Sequence, residues 1–429
     1  MAVARVLLVV AFTLMCSVLL PEGARAEPGP GVAHEPAADT QTSDTPTTGH
    51  RWHTRRRGAR QVLRDAVDAA PGDRNPLAGP AAAGKAWLKD VGITGDLFVM
   101  FFNQGASHVA TGQHNYGTFA WRTIGDWKLL SGSRLGSSYV EWNLNGTVGL
   151  NYDEGRKSLS GNAGIISDAN ANVFPDTSAL DELFWKQVSP DGRLVLMAGR
   201  VDQSFHFDTN RVANDSFREF LSYSLMNNLS IPWPLYGGLG GLVHWQPSKQ
   251  VIFRLGGGDS GANRPWGFWR TADNNDWYQL FEAELDVDLG RLGKGHYKLT
   301  PWHNHFDGDD GWGVGVNFDQ EIGLPWLVAF YRFGIGDGDV TPVKRFVSGG
   351  IAAENPFGRA GDYCGLGVAW SRPGAGAGVR DETFFELQYR ARITPTVELS
   401  PDLQLVLDPS SNRGDDVIFV GGVRLTLVL

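Results

Sequence analysis

Thr383-Phe384-Phe385-Glu386-Leu387-Gln388-Tyr389-Arg390-Ala391-Arg392-Ile393 alternates apolar and polar residues almost without error. Thr383, Phe385, Leu387, Tyr389, Ala391 and Ile393 share one face, and Glu382, Glu386, Gln388, Arg390 and Arg392 the other, with only Phe384 out of place. The pattern resumes after a short break. Val397, Leu399, Pro401, Leu403, Leu405 and Leu407 oppose Thr396, Glu398, Ser400, Asp402 and Gln404. It resumes again as Val417, Phe419, Gly421, Val423, Leu425, Leu427 and Leu429, with Arg424 and Thr426 on the reverse. Successive side chains of a strand point to opposite faces, so each segment carries one apolar and one polar wall. Segments of roughly ten residues are long enough to cross an outer membrane. Lipid on one side and water on the other is the setting of a transmembrane β-barrel.

The rest of the chain agrees with that setting. Arg5, the apolar run from Val6 to Leu20 and Ala24-Arg25-Ala26 have the layout of a signal peptide over residues 1–26. Cys16 lies inside it, so the exported chain keeps only Cys364 and forms no internal disulfide. No later stretch has the roughly 18 consecutive apolar residues of a membrane helix. The mean hydropathy of −0.21 is what a barrel gives when every second residue faces water. The 55 Gly, 23 Phe, 15 Trp and 10 Tyr suit strands, tight turns and interfacial aromatic girdles. A net charge of −9 argues against a nucleic-acid partner.

Residues 27–83 are rich in Pro, Ala, Thr and charge without apolar periodicity, and read as a disordered periplasmic extension. Its basic stretch (Arg51, Arg55, Arg56, Arg57, Arg60, Arg64) fits either contact with anionic cell-wall or lipid groups or a solvated linker. Residues 84–429 read as the barrel. Val140, Trp142, Leu144, Val148 and Leu150 oppose Glu141, Asn143, Asn145, Thr147 and Asn151. Trp277, Phe281, Ala283, Leu285, Val287 and Leu289 oppose Glu282, Glu284, Asp286 and Asp288. Breakers such as Asp307-Gly308-Asp309-Asp310-Gly311 and Gly336-Asp337-Gly338-Asp339 separate such segments. The expectation is an all-β fold, a transmembrane antiparallel β-barrel of about sixteen strands, the weakest near 159–171. One stretch breaks the rhythm. Between the strands near 193–202 and 239–246 lies a long connection in which Asp215-Ser216 precedes a helical spacing of Phe217, Phe220, Leu221 and Leu225, predicting a capped helix over 217–228. A long unpaired loop in a barrel tends to be functional, and this one is expected to fold inward and narrow the pore, or else to pack on the rim.

Alternation names the lining of the lumen: Glu141, Asn143, Asn145, Arg254, Glu282, Glu284, Asp286, Lys298, Glu386, Gln388, Arg390, Arg392, Glu398, Asp402, Gln404 and Arg424. Arg390, Arg392 and Arg424 would form a basic patch if the last strands pair as hairpins, and the bland alternative is that all these charges only solvate a wide lumen. Gly258-Asp259-Ser260-Gly261 has the look of a serine-protease nucleophile segment but reads as a loop, since a nucleophilic Ser needs a histidine base brought to it. His303 and His305 share a strand face near Asp307, Asp309 and Asp310, an arrangement read as a turn with flanking histidines rather than a metal site. No catalytic residue, metal or cofactor is expected.

Tyr389-Arg390-Ala391-Arg392-Ile393-Thr394-Pro395, then Leu399-Ser400-Pro401-Asp402-Leu403-Gln404-Leu405, Asp408-Pro409 and the closing strand from Val417 resemble the carbohydrate-selective porins of the OprB family. Trp87-Leu88, Gly92-Ile93-Thr94, Ala198-Gly199-Arg200-Val201-Asp202, His244-Trp245-Gln246-Pro247 and Gly365-Leu366-Gly367-Val368-Ala369-Trp370 extend the likeness over 84–429. Leu429 stands where such barrels usually end in an aromatic residue. The resemblance implies passive diffusion of sugars through the outer membrane of a Gram-negative-type bacterium, with outer-membrane lipid and the barrel assembly machinery as partners and the oligomeric state open. Trp233, Trp266, Trp269 and Trp302 are then candidates to stack on sugar rings, against the alternative of an interfacial girdle. Two other classes stay in view. An outer-membrane barrel enzyme of the lipase or protease kind would need a Ser/His or acidic constellation at the rim. A secreted soluble β-sheet carbohydrate-binding protein would need a polar exterior.

Overall fold

The computed structural model describes residues 78–151, 158–172, 177–268, 270, 274–337, 339–374 and 379–429. The expected signal peptide, the Arg51–Arg64 stretch and Trp269 lie outside them. A helix, α1 (Ala78–Asp90), begins within the expected extension and leads directly into the first strand.

Sixteen antiparallel strands follow: β1 (Ile93–Ala106), β2 (Asn115–Ser133), β3 (Gly136–Gly149), β4 (Thr177–Val188), β5 (Leu194–Val201), β6 (Gly238–Trp245), β7 (Val251–Asp259) and β8 (Trp277–Asp288), then β9 (Lys294–Phe306), β10 (Asp309–Glu321), β11 (Leu327–Asp337), β12 (Val343–Glu354), β13 (Tyr363–Pro373), β14 (Glu382–Thr394), β15 (Val397–Leu407) and β16 (Val417–Val428). Each pairs with its sequence neighbours and β1 pairs with β16, so the sheet closes on itself. Closure leaves no strand edge to be solvated, which is what lets a sheet lie in hydrocarbon. The non-aromatic end is part of the ladder: the Leu429 amide donates to Leu97 O at 2.8 Å and Leu97 N to Leu429 O at 3.0 Å.

One rim carries the connections after β2, β4, β6, β8, β10, β12 and β14, together with the start of β1 and the end of β16; the opposite rim carries the longest loops, those after β3, β5 and β7. The register fixes the faces. Leu387, Leu403 and Gly421 are consecutive partners on the outside, and Glu386, Gln404 and Val420 on the inside. The outer face stays exposed and apolar, with Leu255, Leu299, Leu366, Leu403 and Phe419 among its residues. The all-β barrel expected from alternation is the fold.

Two expectations differ. Residues 159–171 form no strand. They make a short helix, α2 (Leu159–Ala163), capped by Ser158 and ended by Gly164 at φ 74°, followed by turns. The helix expected over 217–228 shrinks to α3 (Tyr223–Met226). Asp215 does cap a first turn, accepting from Phe217 N at 3.0 Å. Propagation then stops, because Leu221 N and Ser222 N donate at 2.6 and 2.9 Å to the Glu386 carboxylate instead of to helix carbonyls.

Candidate functional site

On the rim opposite the short turns, the described parts of the two longest loops fold into the barrel, so the inward-folding loop expected between β5 and β6 has a companion between β3 and β4. The wall was expected to present its charges to water. Instead, much of it is a docking surface. Glu386 receives the Leu221 and Ser222 amides, and Glu382 receives those of Ile166, Ser167 and Ser410 at 2.8–3.0 Å. Gln404 Nε2 donates to Ala169 O at 2.7 Å. Lys298 donates to Thr209 O, and to its hydroxyl at 2.9 Å. The physical reason is general: a loop brought into a barrel carries backbone donors and acceptors that must be satisfied there, and lumenal side chains supply the partners.

The expected basic patch is corrected accordingly. Arg424 is fully enclosed and donates to Ser216 O and to Glu219 O (3.2 Å), while Arg390 donates to Arg218 O at 2.5 Å and to Gly361 O at 3.2 Å. Arg218 in turn binds Glu398, through Nε at 3.1 Å. Arg392 sits apart, towards the short-turn rim, with its side chain against Gly361. Arg390 and Arg424 hold a segment in place and do not line an open wall. Gln388 and Asp402 are register partners beside Glu386, enclosed beneath the same segment.

The opposite sector, β2 to β9, gathers a second set. Lys186 on β4 pairs with Glu141 on β3 at 2.8 Å. Arg254 on β7 pairs with Glu282 and, at 2.6 Å, with Glu284 on β8, which lies 3.9 Å from Lys298. Asn143 and Asn145 lie on the same wall, Asn145 donating to Asp181, while Asp286 stays half-exposed near the short-turn rim. Arg122 on β2 was not named by alternation, although parity places it inward. It stacks 3.9 Å from the Phe217 ring, lies 3.8 Å from Asp215, and none of its nitrogens has a hydrogen-bond partner among the described residues. Arg332 on β11 was also missed. It is the single charge within Leu327–Ile335, which is the signal that would have found it.

Of the four tryptophans, Trp233 and Trp302 are inside. Trp233 packs edge-on to Tyr278 at 6.1 Å, and Trp302 sits opposite Leu280, two residues along β8 from Tyr278. Trp266 is exposed on a rim loop. In the serine-protease-like tetrapeptide, Ser260 Oγ donates to Asn304 Oδ1 at 2.6 Å.

Among the groups of the in-folded segment that titrate in an accessible range, Glu219 lies nearest the arginines that hold it. Burial first, and then the Asp215 carboxylate, push Glu219 up from 4.5 to about 8, although it accepts from Asn214 N and Asp215 N at 2.6 and 2.9 Å. A docked carboxyl of raised pKa keeps a proton that a released one would give up. Docking is therefore strongest below pH 4.5, weakens as pH climbs to about 8, and levels off beyond. Planar-bilayer conductance is expected to rise through that window, and Glu219→Gln to flatten the rise. A flat wild-type profile would remove Glu219 from the control of packing.

Residues 256–429 match the family described as carbohydrate-selective porin, OprB family. Porin AaxA of Chlamydia abortus is 25% identical over 289 residues, 64% of this chain and 62% of that protein. Porin AaxA of Chlamydia pneumoniae is 25% identical over 262 residues, 58% of this chain and 59% of that protein. The chain thus spans under two thirds of the length of the curated relatives it matches. Among solved structures, the high-pH structure of Pseudomonas putida OprB aligns with a TM-score of 0.63 at 15% identity, covering 82% of this chain and 98% of that one. That likeness is one of fold.

Proposed function

Taking the chain as an OprB-family porin, on residues 256–429 and on its sixteen-strand barrel, we propose that it lets sugars diffuse passively across the outer membrane of a Gram-negative-type bacterium. Folding into that membrane is assigned to the barrel assembly machinery. The observation that carries the sugar reading is a group of lumenal aromatics with idle donors. Trp233 Nε1, Trp302 Nε1, Tyr223 OH and Tyr278 OH are enclosed and have no hydrogen-bond partner among the described residues. Buried donors are almost always paired, so such a group suits a visiting solute that offers hydroxyls to the donors and CH faces to the rings. The passage is weak and reversible, because release at the far side requires shallow binding.

Liposome swelling with graded sugars, run beside planar-bilayer conductance, tests this. Sugar flux above that of empty liposomes is expected, saturating with concentration. Trp233→Ala should weaken the half-saturation about tenfold, the value of one aromatic contact, without lowering ion conductance. Flux of ions but not of sugars would leave a porin of another selectivity. Flux of neither, with the barrel folded, would end the pore reading.

A further inference from the structure

We infer that Arg122, on the lumenal face of β2, is a station for two adjacent hydroxyls of a solute, and that it selects neutral polyhydroxy solutes over charged ones. The station deepens the sugar reading above and rests on it. The guanidinium is set apart by what it lacks. Arg122 points inward between its register partners, Phe98 of β1 and Asn145 of β3, and is fully enclosed. Its Nε, Nη1 and Nη2 all lack a hydrogen-bond partner among the described residues. Arg332 and Arg424, enclosed on the same face of other strands, donate to backbone carbonyls of the in-folded segment. Buried donors are nearly always paired, and an idle charged one destabilises, so stability alone does not account for Arg122.

Carboxylates surround it without meeting it. Asp215 Oδ1 stands 3.8 Å away and already accepts from Phe217 N at 3.0 Å. The fields of Asp181, Glu182 and Asp202 reach the guanidinium as well. Asp181 is held by Asn145, and Glu182 lies 2.8 Å from His206 Nε2. Asp202 caps the turn Gln203–Phe205, accepting from Ser204 N at 2.9 Å. Each acid is thus fixed by a neighbour of its own, and none is hydrogen-bonded to Arg122. At the next inward position of β3, Asn143 Oδ1 is also enclosed and without a donor.

That combination narrows the solute. Idle N–H groups call for acceptors. An anion would supply them, but it would enter among four carboxylates gathered around one guanidinium and be repelled. A zwitterion brings a carboxylate and an ammonium, and each would have to shed its water in an enclosed site. A hydroxyl accepts from a guanidinium and donates to a carboxylate or amide oxygen at once, with no charge to desolvate. Two adjacent hydroxyls take two N–H groups of the fork together. The Phe217 ring, 3.9 Å from the guanidinium, covers the station in the packed state and gives way as the solute arrives. Asp202 links the station to the aromatic group, for its field also reaches Tyr223 and Tyr278.

Liposome swelling with the full chain tests it, with glucose, its monodeoxy analogues, gluconate and glycine as separate solutes. In the wild type, at least one deoxy analogue should half-saturate about tenfold more weakly than glucose, the value of a hydrogen bond to a charged group. Arg122→Met should bring glucose down to that analogue and so abolish the preference. Arg122→Lys keeps the charge without the fork; it should lose most of the preference, and it serves should Arg122→Met fail to fold, with heat-modifiable migration as the check. A preference untouched by either variant would overturn the assignment. So would a loss shared equally by every sugar together with raised conductance, which would make Arg122 an anchor of the segment. Gluconate or glycine saturating below glucose would give the station to a charged solute instead. Absence of saturable sugar flux in the wild type would sink the sugar reading and the station together, whereas saturable flux indifferent to Arg122 sinks the station alone.

Discussion

Arg332→Ala is expected to raise single-channel conductance severalfold while leaving a folded barrel. Arg332 is fully enclosed on the lumenal face of β11. Its Nε lies 2.9 Å from Asp208 Oδ2, and its terminal nitrogens donate to Leu225 O (2.8 Å), Asp208 O (3.1 Å) and Ala213 O (2.9 Å). One guanidinium thus gathers three separate points of the in-folded segment. Its removal takes the cation from a buried carboxylate that keeps only the Asn228 and Asn317 donors, and takes a donor from three carbonyls, a loss of about 3–5 kcal/mol. A packed-to-released ratio of about 100 corresponds to about 2.7 kcal/mol, so the balance moves to release. The strands keep their own ladders, and heat-modifiable migration should persist. Arg332→Leu/Asp208→Leu should return conductance towards wild type, because no lone charge is then left inside. An unchanged conductance in a folded Arg332→Ala barrel would mean that the segment is held by its other attachments.

Gly334→Val should give the same release with every ion pair intact. Parity puts Gly334 on the lumenal face, two residues from Arg332. A Cβ there would fall 2.0 Å from Ser230 Oγ and 2.3 Å from Asn228 Oδ1. Asn228 has little freedom to yield, being tied to Phe333 O at 2.9 Å and to Asp208 at 3.0 Å. Overpacking of this kind costs about 1–3 kcal/mol or more, concentrated on the segment because the wall is the stiffer partner. Conductance should rise and sugar saturation disappear, since Trp233 leaves with the segment. Gly421→Ala is the control: on the outer face a Cβ meets only Leu403, at 3.9 Å. Saturable sugar flux surviving in Gly334→Val would separate the sugar site from the segment.

Parity made the wall legible, because side-chain direction along a strand is set by counting alone. It placed Glu141, Arg254, Glu282, Lys298, Glu386 and Arg424 on the inner face, where they are. What those residues touch was not legible, since their partners are backbone groups of loops whose path depends on contacts far away in sequence. The misfit at Phe384 carried the missing information. It is lumenal and enclosed, as are Val406, Ile418 and Val420 on the neighbouring strands. Apolar residues on the face assigned to water mark where the lumen is filled by protein. The shortened helix follows from the same competition, with Glu386 taking amides that helical spacing had assigned to carbonyls.

Phe217 and Leu221 pack with Phe98, Met100 and Phe102 of β1 and with Val428 of β16, across the seam where Phe98 and Val428 are partners. The seam joins the two ends of the barrel, whereas Phe217 comes from the middle of the chain. Such distant pairings form late, after the entropy of closing a long loop has been met. The first and last strands therefore meet against a residue that neither of them supplies. The seal of the cylinder is thereby tied to its contents: without the tucked-in segment, the seam would lack the apolar packing that backs it.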